Sequence, residues 1–199
     1  MGFFFEEITS GNSRDIAFDF LLGMVGLERG SYAMRDIVSL WDDREEIVRL
    51  GTARWEDNHA RAERYSPTPP SKRKHIEGVR GEFGGCRGLH IEPEWSRIVG
   101  YPRPKYDAVY AGRTIEIKET VHADGHLLYQ PRLHELGVVD IWLLVVEVNA
   151  EEWLVRVAGW IWEREMQKVW SWCKFDATAF CVHQRDLRPL DELIELREK

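Results

Sequence analysis

Cysteine is scarce in this chain of 199 residues: Cys86, Cys173 and Cys181 form neither an even set nor a Cys-x-x-Cys pair. A disulfide framework is therefore not expected, and a reducing, intracellular and cytoplasmic compartment is. Long apolar runs are missing as well. The longest, Ile141 to Val146, falls well short of the roughly 20 residues a bilayer span needs, so no membrane partner is expected. The start, Met1-Gly2-Phe3-Phe4-Phe5-Glu6-Glu7, has neither a basic leader nor a long apolar stretch, and no secretory signal is expected. Repeats and low-complexity tracts are lacking too, so no repeat architecture is expected.

Large apolar side chains are plentiful. Nine Trp, eight Phe and six Tyr, within 44% hydrophobic residues, exclude a solvated, disordered chain. The length suits one globular domain, or one domain with a helical extension. Net charge is −7, which argues against a simple nucleic-acid coat, but the charge is unevenly spread. Residues 61–118 carry 12 Lys/Arg against 7 Asp/Glu, while the stretches on either side are acidic. A basic third inside an acidic chain can mark contact with a phosphate-rich partner, or only an uneven solvated surface.

The first part reads as helical, over Arg14 to Met24 and over Ser31 to Tyr65, where Ile37, Leu40, Trp41, Ile47, Val48 and Leu50 recur at roughly helical spacing. Ser66-Pro67-Thr68-Pro69-Pro70-Ser71 breaks this pattern, because three prolines cannot continue a helix. Residues 1–70 are thus expected as an N-terminal helical extension and 71–199 as the core with its C-terminal elements. Ser71 is placed to cap a helix running through Lys74, Ile76, Val79 and Phe83 towards Gly84-Gly85. The period then changes to two. Strands are expected at Leu89–Glu92, Lys105–Tyr110 and Arg113–Lys118, then a helix over His122–Leu136 and a buried central strand over Val138–Val148. A strand at Trp153–Ala158, a Trp-rich helix at Gly159–Cys173, a strand at Thr178–His183 and a terminal helix at Leu187–Glu198 complete the reading. From Ser71 to Val148 the order is helix, three strands, helix, strand: an α/β core with a mixed sheet.

The hairpin 105–118 carries the chemistry. Glu116 and Lys118 leave the same face of one strand, among the apolar Val109, Ile115 and Ile117. If Ala111-Gly112 is a two-residue turn, Tyr110 pairs with Arg113, and Asp107 falls opposite Glu116 on the same face. Two adjacent carboxylates repel unless a cation lies between them. A divalent cation such as Mg²⁺ or Mn²⁺ suits oxygen ligands of this kind. The competing reading is a salt-bridged surface hairpin, Glu116 with Lys118 or Arg113.

Asp107, then Glu116-Ile117-Lys118, preceded by Glu82 on a helix, resembles the PD-(D/E)XK nuclease superfamily with its restriction-endonuclease-like fold. The stretch Gly81-Glu82-Phe83-Gly84-Gly85-Cys86-Arg87-Gly88-Leu89 is similar to the helix-borne Gly-Glu segment of small phage and bacterial members. The resemblance spans about residues 72–160, with Tyr106 standing where the family often has proline. It implies that Asp107 and Glu116 are direct metal ligands, with the backbone carbonyl of Ile117 as a third. It implies that Glu82 binds the metal directly or through water, and that Lys118 orients the attacking water and stabilises charge on the phosphate. The implied activity is Mg²⁺- or Mn²⁺-dependent hydrolysis of DNA phosphodiester bonds. A non-catalytic nucleic-acid-binding or structural relative of the same fold is the alternative. Many enzymes of this fold are dimers, so a homodimer stays open.

Other residues carry weaker signals. Gln130, beside Tyr129, lies where several such families place a residue near the substrate. Lys72-Arg73-Lys74 can grip a phosphate backbone or simply face solvent. His122, Asp124 and His126 have ligand-like spacing, but no further His or Cys completes a zinc set. Trp153, Trp160, Trp162, Trp170 and Trp172 suit core packing better than base stacking. Cys86 has no partners for nucleophilic catalysis.

Overall fold

The stretch 31–65, expected as helical, holds a strand and one helix in the computed structural model: β1 (Ile37–Ser39) and α1 (Arg44–Ala62). The structure describes residues 36–62, 71–94, 105–174 and 178–197, all within one compact unit, residues 34–199. The expected helix over 14–24 and the prolines at 67, 69 and 70 lie outside these. Ile37 and Val38 are β-branched and find an edge to pair with, so sheet pairing overrides the helical spacing. Helix α1 begins with Glu45 and Glu46 in its first turn, where acidic side chains complement the helix dipole.

Helix α2 (Lys72–Gly88) forms as expected. The Ser71 side-chain oxygen accepts from the backbone N–H of Lys74 at 3.4 Å and satisfies an end donor. The expected strand at 89–92 is not formed. Leu89 and Ile91 instead donate to the last carbonyls of α2, and His90 takes a left-handed φ of 55°. Capping those carbonyls uses the backbone groups that a strand would have needed.

The hairpin is β2 (Ala108–Tyr110) and β3 (Arg113–Thr120), with Tyr110 opposite Arg113 and Ala108 opposite Ile115. Ala111 (φ 48°) and Gly112 (φ 73°) both take positive φ, as a tight hairpin turn requires. After β3, the helix expected over 122–136 is replaced by turns around β4 (Leu127–Tyr129). Gly125 and Pro131 interrupt a helical run, and Leu127 and Tyr129 alternate into a core that another strand completes. The crossover leads into β5 (Ile141–Asn149), parallel to β3. Strand β6 (Leu154–Trp162) returns antiparallel and takes in the first part of the expected Trp-rich helix. Trp160 and Ile161 bury on opposite faces of the sheet, an alternation that a helix cannot provide. Only Glu163–Val169 is helical, as α3. Next come β7 (Ser171–Trp172), β8 (Phe180–Val182) and α4 (Leu190–Ile194), the last starting after Pro189 rather than at Leu187.

The main sheet has the order β1-β6-β5-β3-β2 and is mixed; a second sheet runs β4-β8-β7. This is an α/β architecture with helices on a mixed sheet. The expected order of helix, three strands, helix, strand is departed from at 89–92 and at 122–136. Central strand β5 is buried on both faces. Ile141, Leu143 and Val145 pack with Val79, Phe83 and Cys86 of α2, while Trp142, Leu144 and Val146 pack with Leu127, Tyr129, Val182 and Met166. Full burial of a side chain such as Phe83 is worth about 1.5–3 kcal/mol. Helix α2 lies close on the sheet because Gly85 faces it: a Cβ there would stand 2.8 Å from Ile117 Cδ1 and 2.9 Å from Leu143 Cδ2. That close seat brings the middle of α2 against β3. Among the described residues, no helix is long and apolar enough to cross a membrane.

Candidate active site

Strand β2 starts at Ala108, opposite Ile115, so among the described residues no strand lies beside this edge of β3 past Ile115. The Asp107 carboxylate takes that place. Its Oδ2 accepts from the backbone N–H of Ile117 at 2.8 Å. Within a strand the N–H and C=O of one residue face the same edge, so the Ile117 carbonyl faces this opening too. Glu116 and Lys118 bracket Ile117, and Lys118 Nζ donates to Glu116 Oε1 at 2.5 Å. Helix α2 supplies Glu82. A cleft of about 520 Å³ is lined by Glu82, Asp107, Glu116, Ile117 and Lys118, with Arg54 and Lys74 at its wall.

The two-residue turn thus gives the expected register, and the sequence-derived set Glu82, Asp107, Glu116, Ile117 and Lys118 comes together. Lys74 joins it from the basic cluster. Lys72, Arg73 and Lys74 are all exposed, and Arg73 is paired with Glu77 at 2.6 Å. Gln130 does not line this cleft. It lies after β4, off any helix, in an adjoining cavity that shares Lys118 and also takes in His122, Asp124 and His126.

Two residues escaped the sequence reading. Arg54, on α1, donates through Nη1 and Nη2 to the two oxygens of Glu82, both at 2.6 Å. His134, in the turn after β4, places Nδ1 3.8 Å from Glu116 Oε1 and packs edge-on against Trp142. Neither carries a local motif, since one sits on a mostly polar helix and the other in a loop whose path depends on the whole sheet.

Electrostatics single out the hairpin acids. Burial pushes the Asp107 carboxyl well above the usual range, and the nearby charges of Glu82 and Glu116 push it further. Burial also raises Glu116, against the opposing pull of Lys118. Burial and then the Lys118 charge hold the His134 imidazole down to about 4, so it is neutral at pH 7. The Cys86 thiol is pushed up to about 12 by burial, with Glu82 and Asp107 adding to it, which keeps it protonated and unreactive.

In this cleft Glu82 is paired with Arg54 and Glu116 with Lys118, while Lys74 stands exposed at the wall. Among the described residues no ion pair reaches Asp107, and no group of three or more His, Cys, Asp or Glu side chains is placed to hold a metal ion. This donor set does not suit zinc. It does fit a hard divalent cation that uses two carboxylates and keeps several waters. Comparison with protein-family models, curated proteins and solved structures finds no match to this chain.

Proposed function

We propose that the protein is a divalent-metal-dependent deoxyribonuclease of the PD-(D/E)XK type. The observation that carries the reading is the convergence of Asp107, Glu116 and Lys118 at one edge of β3, with a half-buried Asp107 that no ion pair reaches among the described residues. Glu82 and Glu116 have cationic partners in Arg54 and Lys118, whereas Asp107 is left beside them without an ion pair among the described residues. Asp107 and Glu116 would hold Mg²⁺ or Mn²⁺, and the Ile117 carbonyl faces the same opening. When bound, such a cation makes hydroxide accessible near neutral pH and draws off charge from the phosphate.

The remaining work falls to side chains. The Lys118 ammonium, about a third exposed, sits at the mouth of the cleft. There it can orient the attacking water and meet the charge that develops on the phosphate oxygens. Lys74 stands at the wall of the same cleft, ready to take a neighbouring backbone phosphate without reading sequence. His134, neutral, stands 3.8 Å from Glu116, outside hydrogen-bond distance.

The test is to incubate supercoiled, linear, single-stranded and branched DNA with the full chain and Mg²⁺ or Mn²⁺, with Asp107→Asn in parallel. Metal-dependent cleavage lost in the variant supports the reading. DNA binding without cleavage of any substrate overturns it in favour of a non-cutting relative.

A further inference from the structure

The helix crossing does more than bring Glu82 to the cleft. Helices α1 and α2 meet at Gly51, where an added Cβ would stand 2.7 Å from Ile76 Cα. One turn further along α1, Arg54 passes over Gly78, and its guanidinium closes on both oxygens of Glu82. Both side chains are only about a tenth exposed, at 11% and 10%. A bidentate fork of this kind is strong and geometrically specific. It occupies both oxygens through which Glu82 would otherwise ligate a cation.

We propose that Arg54 is a positioning residue that restricts this site to a single divalent cation, by holding Glu82 as its own partner and supplying fixed positive charge at the wall of the cleft. The inference rests on the metal-site reading above and extends it. Asp107 and Glu116 remain as the anionic ligands, and Glu82 becomes a support for Arg54 rather than a ligand. With Arg54 removed, Glu82 is released into a cleft already lined by Asp107 and Glu116, and three carboxylates can then share two cations.

The experiment is titration of the full-length chain with Mn²⁺ in the absence of DNA, followed by calorimetry and by the loss of free-Mn²⁺ paramagnetic resonance signal. One equivalent is expected for the parent. Arg54→Met should take up two, and Arg54→Lys, which keeps the charge but not the fork, should restore one. Glu82→Gln should still bind one equivalent, weakened by less than tenfold, and it tests the idea even if Arg54→Met fails to fold. Two equivalents in the parent, one in a folded Arg54→Met, or no binding by a folded Glu82→Gln would overturn the inference while leaving the metal site standing. No Mn²⁺ bound by the parent would overturn both.

Discussion

The Asp107 carboxylate stands where a strand neighbour's carbonyl would, 2.8 Å from the Ile117 N–H that it accepts from. That hydrogen bond ties the carboxylate to the edge of β3, while burial and the neighbouring acids raise its pKa well above the usual range. Replacing it should separate those two effects. Asp107→Asn keeps an oxygen for Ile117 and removes the charge, so metal-dependent cleavage should be nearly abolished while thermal stability at pH 7 holds or rises. Glu116→Gln should lose cleavage likewise. A folded variant of either residue that cleaves as fast as the parent would refute the site.

Lys118→Ala should slow cleavage by roughly a hundredfold to ten-thousandfold, the range for losing a group that assists proton transfer. Mn²⁺ affinity should change much less than the rate, because the ammonium acts on water and phosphate. Single-turnover rates alongside calorimetry separate the two effects; equal losses in both would instead make Lys118 part of the metal site.

Beneath the site, Arg80 faces two acids, Glu119 and Glu147. Burial drives the Glu119 carboxyl up to about 8 despite Arg80. Its folded pKa therefore lies above its unfolded value near 4.3, so the folded state binds the extra proton. The stability this contributes is complete below about pH 4.3 and is lost as pH rises towards 8. Glu119→Gln should flatten that decline and melt higher than the parent at pH 8, with the gap closing towards pH 4.5. Melting curves across this range check it, and a gap that grows towards low pH would reverse the assignment.

Of the three basic residues that open α2, only Lys74 lines the cleft, while Arg73 is engaged by Glu77. The triple neutralisation of Lys72, Arg73 and Lys74 should weaken DNA binding equally across sequences, and Lys74→Ala alone should reproduce most of the loss. The slope of log affinity against log salt should fall by about one for that single change. An unchanged slope would remove Lys74 from the interface.

Gly85→Ala tests the seat of α2 on the sheet. The new methyl meets Ile117 and Leu143 at under 3 Å, so overpacking should cost about 1–3 kcal/mol in denaturant unfolding. Because Ile117 is also the residue that Asp107 grips, Mn²⁺ affinity should fall with it. Lost stability with intact Mn²⁺ affinity would show that the site tolerates movement of the helix.

What the chain determined by itself was local. Ser71 caps α2 through a side chain three residues from its partner. Ala111-Gly112 admits the two positive φ values of a tight turn, which sets the register that brings Asp107 beside Glu116 and Lys118. These features depend on spacing and backbone sterics within a few residues. The helix expected over 31–65 forms at Arg44–Ala62 but gives way to a strand at Ile37–Ser39, and the one expected over 122–136 gives way to β4, because propensity is weak beside pairing with a distant strand: β1 finds β6, and β4 finds β8. Only the tertiary structure decided that Arg54 would close on Glu82, 28 positions away. That contact follows from where two helices cross, and His134 reaches Glu116 only through the loop between β4 and β5. Such encounters are set by the packing of whole elements and leave no period or motif in the residues that make them.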